Sequence, residues 1–335
     1  MKNNHYYRPL CIECISPDYF PSVALYIRSG GNFVLYKPHD RPFSDDDRTR
    51  LRRNFVEFLY VRTGDMEGIT EYLENGLGDF IGRDDISAGA KGQILYQTTA
   101  NYVRDIFEEP DKTFNLSRCR SMIKHLMRYV ATSEDALLAL GSLIGHNSYL
   151  LVHSVQVTAL AMLFHEDVYQ LPPHEMIDVG VGSLLHDLGM IFISNSILDS
   201  SDALSQIEYY KLKQHARKGY DYLQSSGAFS EIALSIVRHH HERYDGNGYP
   251  GMLRGDAIPR SAQVVAICDT YCSLTTERES RPATPKAQAL KLMTTESPGC
   301  FNPELLARFV EIVSDRADTK EITLSPRRAT GGASR

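Results

Sequence analysis

From Ser87 onward the chain reads as a succession of helical segments whose apolar faces are interrupted, one after another, by histidine and aspartate. The segments fall at residues 88–107, 116–131, 134–143, 148–164, 175–192, 206–224, 230–241, 260–274, 285–294 and 303–313. His153 sits among Leu150, Leu151, Val152 and Val155. His186 and Asp187 follow Gly182-Ser183-Leu184-Leu185, and His215 falls in the next helix. His240 and His241 close a helix built on Ile232, Ala233, Leu234, Ile236 and Val237, and Asp269 follows Val264-Val265-Ala266-Ile267-Cys268. A carboxylate on a buried helix face is costly unless it is paired or binds metal. One arrangement answers all seven residues at once: a metal centre between the helices. Imidazole with carboxylate suits iron, manganese, zinc or cobalt. Seven ligands are too many for one ion and suit two bridged ions, with Asp187 placed to bridge.

A single histidine on an apolar face is more often a hydrogen-bonded core residue than a ligand. Six or seven on successive helices reverse that preference. The remaining histidines keep the structural reading. His165, beside Glu166-Asp167, reads as a solvated helix end, and His174, after Pro172-Pro173, as a helix start. His239 faces away from the pair that follows it. His39 and His125 have no partners in sequence, and His146 is ambiguous.

The first 83 residues differ in kind. Residues 22–27 and 32–36 read as strands around the turn Ser29-Gly30-Gly31. A charged helix follows over residues 45–55, then a strand over 58–62 and a helix over 65–77 ended by Gly78. The fold expected is an α+β N-terminal domain (residues 1–83) and linking helices (84–133), followed by an all-α helical bundle domain (134–323), which the family resemblance given below makes HD-type, and a disordered tail (324–335). The first domain is expected to regulate or dimerise. Cys11 and Cys14 have neither a thioredoxin-like context nor a second ligand pair, so they read as small residues on an N-terminal strand.

With 335 residues, 42% of them hydrophobic, the chain can bury a sizeable core. A net charge of −6 argues against electrostatic binding of DNA. No apolar run is long enough for a membrane span. The six scattered cysteines suit a reducing cytoplasm.

The same residues carry a family resemblance. His186-Asp187 resembles the pair that names the HD metal-dependent phosphohydrolases. The run His240-His241-Glu242-Arg243-Tyr244-Asp245-Gly246-Asn247-Gly248-Tyr249-Pro250 resembles the HHExxDGxGYP signature of the HD-GYP type. The stretch from Ile258-Pro259 to Asp269-Thr270-Tyr271 is similar to the spaced aspartate segment downstream of it. The resemblance covers about residues 134–313. It implies a cyclic di-GMP phosphodiesterase yielding pGpG, and GMP on further cleavage, by a hydroxide activated between two divalent metals, Fe or Mn. Carried over residue by residue, the ligands are His153, His186, Asp187, His215, His240, His241 and Asp269, with His186 and Asp187 at the catalytic centre. Arg278, Arg281, Tyr249 and Asn247 would contact substrate. The loop Gly248-Tyr249-Pro250 would meet partner diguanylate cyclase (GGDEF) domains, and a homodimer is compatible.

The chain also departs from that pattern. The HDxGK lysine is Met190, which can neither neutralise nor hydrogen-bond a phosphate. The following stretch, residues 193–200, lacks the usual Pro and Lys-Pro-Gly. The RxYR element reads Arg278-Glu279-Ser280-Arg281, without its tyrosine. Tyr149 stands where three-metal members carry a glutamate, one turn before His153, so two metals are expected. Two readings follow: a working but slower or altered phosphodiesterase, or a receptor or scaffold that keeps metal and ligand. The enzyme is preferred, because seven buried ligands are costly to retain otherwise. A phosphohydrolase for another nucleotide is a third reading.

Overall fold

The computed structural model describes residues 6–17, 19–84, 86–110, 115–132, 149–198, 203–277, 281–297 and 299–321. The helix expected at residues 134–143, His146, Arg278 and the tail from 324 fall outside these.

Four antiparallel strands open the chain: β1 (Tyr7–Cys11), β2 (Leu25–Ser29), β3 (Asn32–Lys37) and β4 (Phe58–Arg62), in the order β1-β4-β2-β3. Ser29 pairs with Asn32 across Gly30 and Gly31, both at positive φ, which is the two-residue turn that a twisted hairpin requires. Helix α1 (Asp45–Arg53) starts at a reciprocal cap, Ser44 with Asp47. Helix α2 (Met66–Gly82) runs past Gly78, where a longer helix than expected passes close to His125. Cys11 ends β1 and donates to Gln93, while Cys14 lies in a short 3-10 turn.

Helix α3 (Ala88–Glu108) is buried on nearly every face. Several of its polar side chains bond within the helix: Gln97 donates to Asn101, and Thr98 and Thr99 donate to carbonyls one turn back. Helix α4 (Leu116–Thr132) packs beside it. One continuous apolar core joins Leu10, Leu25 and Leu59 of the sheet through Ile94 and Leu126 to Leu151, Leu184 and Val237. The first-domain sheet is therefore anchored to the helices that carry the histidines.

Those helices are α5 (Tyr149–Tyr169), α6 (Pro173–Leu184), the short α7 (Asn195–Leu198), α8 (Gln206–Ser225), α9 (Glu231–His239), α10 (Arg260–Thr275), α11 (Lys286–Lys291) and α12 (Pro303–Glu321). A second core, with Phe164, Ile236, Val264, Ile267 and Phe309, ties α5, α9, α10 and α12 together. The expected α+β domain followed by an all-α HD-type bundle is the fold observed. Among the described residues, no helix is long and apolar enough to cross a membrane.

Three local expectations are corrected. The helix drawn through residues 175–192 stops at Leu184, and a 3-10 turn takes over from Leu188 to Phe192. The helix drawn to His241 ends at His239. His165 is not a solvated helix end: it is fully buried, because α5 continues to Tyr169 and α12 packs on this stretch, with Phe309 against Phe164 and Arg308 bidentate on Asp167.

Candidate metal centre

Neighbouring residues on a straight helix point about 100° apart and cannot converge. The two helix breaks remove that obstacle. His186 and Asp187 lie between α6 and the 3-10 turn, so both side chains reach one point. Gly189 makes this turn possible: its backbone lies so close to α8 that an added Cβ would sit 1.9 Å from the His215 carbonyl oxygen. His240 caps α9 and His241 is the next residue, with ring centroids 4.1 Å apart. His153 comes from α5, His215 from α8 and Asp269 from the middle of α10.

The seven candidate residues gather in two groups that could each hold a metal ion: Asp187, His215, His240 and His241, and beside them His153, His186 and Asp269. Asp187 joins the groups. Its Oδ2 lies 3.3 Å from His186 Nε2, and its Oδ1 lies 3.3 Å from His215 Nε2 and 3.8 Å from His240 Nε2. Asp269 lies 2.9 Å from His153 Nε2 by Oδ1 and 3.8 Å from His241 Nδ1 by Oδ2. All are buried except His241, whose ring is partly open.

The imidazoles are oriented from behind. Nδ1 of His186 donates to the Ser183 carbonyl at 2.7 Å, that of His215 to Leu212 at 2.8 Å, and that of His240 to Val237 at 3.0 Å. Each bond places a proton on Nδ1 and turns Nε2 toward the centre, the orientation in which the neutral ring offers its lone pair to a metal. His186 Nε2 is buried with no hydrogen-bond partner. Such an orphaned atom among carboxylates is what a cation would satisfy.

Without metal, a proton takes the cation's place: burial opposes charge on His186, but the Asp187 and Asp269 carboxylates override it and hold its pKa up at about 9, so a bound cation would displace the Nε2 proton. Burial likewise opposes charge on Asp187, and His186 with His215 and His240 keeps its carboxyl well below the usual range. Asp269 is lowered in the same way by His153. Burial and the crowd of neighbouring imidazoles push His240 and His241 down, so both stay neutral, the form that binds metal. Two ionised carboxylates in an enclosed space call for positive charge. The residues present fit divalent metal.

Over the centre lies the loop after α9. Asp245 accepts from the Asn247 amide at 2.9 Å and from Arg243 through both oxygens, and Gly246 takes positive φ. Gly248 is pressed against the backbone of Glu242 and Arg243, leaving no room for a Cβ. Tyr249 lies over His241, ring centroids 4.8 Å apart; burial, then Asp187 and Asp269, push its phenol pKa up, so it stays protonated. Asn247 is exposed, and Arg281 donates to the Ser273 carbonyl one turn beyond Asp269. Tyr149 stacks on His153, its oxygen 3.3 Å from Nδ1.

The sequence reading passed over Glu242. It is fully buried in its side chain and accepts from the Gly251 amide at 2.6 Å and the Leu253 amide at 3.0 Å. A charged residue between two ligands and a Gly-rich turn was the available signal: it must be solvated by that turn's own amides.

An HD-domain family model matches residues 138–305, half of the chain. The chain belongs to the HD-domain family, and it is of the HD-GYP type. A cyclic di-GMP phosphodiesterase of Pseudomonas aeruginosa is 29% identical over 202 residues, 60% of this chain and 48% of that protein. A cyclic di-GMP phosphodiesterase response regulator of Xanthomonas campestris is 35% identical over 134 residues, 40% of this chain and 35% of that protein. A 3′3′-cGAMP-specific phosphodiesterase of Vibrio cholerae is 29% identical over 181 residues, 54% of this chain and 35% of that protein. The chain thus spans about a third to a half of these relatives. In fold it is similar to a protein of Bdellovibrio bacteriovorus described as HDG"Y"P, at TM-score 0.68 and 20% identity, covering 92% of this chain and 99% of that one.

Proposed function

We propose that the chain is a metal-dependent phosphodiesterase that hydrolyses cyclic di-GMP to pGpG. The observation that carries this reading is the carboxylate of Asp187 shared between two sets of buried imidazoles. His153, His186 and Asp269 would hold one divalent cation, and His215, His240 and His241 the other, with Fe or Mn suited to the donors. When bound, such a pair supplies Lewis acidity to a phosphate and lowers the pKa of a coordinated water to near neutrality.

The chain's own residues do the rest. The Ser183, Leu212 and Val237 carbonyls fix the imidazole tautomers. Tyr249 keeps its proton on Oη and offers a donor and a ring face beside His241. Glu242 holds the loop that carries it. No side chain is required as nucleophile. The names of the Pseudomonas and Xanthomonas relatives favour cyclic di-GMP, while that of the Vibrio relative makes 3′3′-cGAMP the first competitor. The Gly248-Tyr249-Pro250 loop is the surface we assign to a diguanylate cyclase domain.

The test is one preparation, purified anaerobically. Iron and manganese are counted per chain, and pGpG and GMP are followed from cyclic di-GMP with 3′3′-cGAMP in parallel. About two metals with product support the proposal, and Asp187→Asn should lose both. Metal and binding without product make the chain a receptor, the outcome Met190 would favour. No metal in any preparation, including one supplied with manganese, returns the histidines to the core.

A further inference from the structure

A cyclic dinucleotide carries two phosphates, and the metal centre neutralises one. The second needs a cation elsewhere. Met190 cannot provide it, so the question is which positive group borders the centre without a partner. Arg243 is held by both oxygens of Asp245, Lys218 donates to the Phe192 carbonyl, and Arg281 donates to Ser273. Lys213 differs. It lies on α8 two residues before His215, and among the described residues it forms no ion pair or hydrogen bond. Its ammonium lies over two rings: Tyr209, one turn back on the same helix, at 4.9 Å, and Tyr249 at 5.8 Å. Tyr249 is the ring that covers His241.

Lys213 therefore sits one ring away from a metal ligand, held by cation–π contacts that leave its three N–H donors available. Tyr209 is half exposed and offers its other atoms to solvent. Aromatic faces beside a cation suit a nucleobase joined to a phosphate. Resting on the phosphodiester reading of the centre, we propose that Lys213 binds the second, non-scissile phosphate of a cyclic dinucleotide at a rim formed with Tyr209 and Tyr249.

The experiment uses the full chain loaded with manganese, and two probes. One is a non-hydrolysable phosphorothioate analogue of cyclic di-GMP; the other is inorganic phosphate, which needs only the centre. Affinities are read by calorimetry for wild type, Lys213→Ala and Lys213→Arg, with metal content and melting temperature alongside. Lys213→Ala should bind the dinucleotide about 10- to 100-fold more weakly, the scale of one charge-assisted contact, and phosphate less than about threefold more weakly. Lys213→Arg should recover most of the loss. Dinucleotide affinity unchanged in Lys213→Ala overturns the proposal, as does an equal loss for both probes, which would make Lys213 a support of the centre. If the wild-type chain binds phosphate and metal but no cyclic dinucleotide, the substrate reading itself fails and Lys213 with it; the other two failures leave that reading standing.

Discussion

Gly189 and the carbonyl of His215 are in such close contact that a Cβ on Gly189 would lie 1.9 Å from that oxygen. The contact joins the turn that carries His186 and Asp187 to the helix that carries His215. The neighbouring atom is backbone, so nothing can rotate away. Gly189→Ala should therefore push the turn off α8 and lower stability by about 2 kcal/mol or more, as overpacking does. Metal content per chain should fall with it. A variant with wild-type melting temperature and full metal occupancy would show that the crossing tolerates a methyl group.

Glu242 acts on the other side of the centre. Its carboxylate solvates the amides of Gly251 and Leu253 and touches no metal group. Glu242→Gln keeps the size and removes the charge. Hydrogen bonds to charged groups contribute about 1.5–3 kcal/mol each, so a loss of about 2 kcal/mol in urea unfolding is expected. Metal content should be retained, and KM for the dinucleotide should rise more than kcat falls, because the loop bearing Tyr249 loosens. Loss of metal would instead make Glu242 part of the centre.

The His and Asp cluster was legible because each member breaks an apolar helix face, and breaking such a face is costly without a reason. The hairpin was legible from alternation around Gly30-Gly31. The helix break at His186 was not. Residues 182–192 are largely apolar around His186 and Asp187 and contain no proline, and Gly189 falls five residues past Leu184, where the helix actually ends. What ends it is a long-range contact, the approach of Gly189 to α8, which no local pattern records. The same is true of His165. Its neighbours Glu166 and Asp167 suggested solvent, yet Asp167 is paired with Arg308, 141 residues away in sequence. Lys213 and Glu242 went unnoticed because their roles depend on rings and amides brought together only by folding.

His165 predicts an acid sensitivity. Burial holds its pKa down at about 4 despite the bond from Nδ1 to the Ala161 carbonyl, and Nε2 has no partner. The unfolded chain binds this proton near pH 6.5 and the folded chain does not, so between about pH 6.5 and 4 the unfolded state holds more protons. Stability from this group is complete above the upper value and falls as pH drops through the window. Between pH 7 and 5 the loss is about 2 kcal/mol. Urea unfolding of metal-free wild type and His165→Gln at both pH values isolates it: the variant should lose about 2 kcal/mol less. Equal losses would mean that His165 finds a partner for its proton in the folded state.

Met190 is the substitution with the most direct consequence for turnover. Its amide donates to the Asp187 carbonyl at 2.9 Å, so the backbone here is fixed by the same turn that aims the ligand, and only the side chain is changed from the HDxGK pattern. A thioether leaves a phosphate oxygen without a donor, and one charge-assisted contact is worth about 1.5–3 kcal/mol. Met190→Lys should therefore raise kcat/KM for the cyclic dinucleotide about tenfold or more without altering metal content. Its size should depend on Lys213. If the two ammonium groups bind different phosphates, the gain is the same in the Lys213→Ala background; if they compete for one phosphate, the gain is larger there. A Met190→Lys chain no faster than wild type, with metal intact, would mean that the site has been rebuilt around methionine and that the phosphate is held elsewhere.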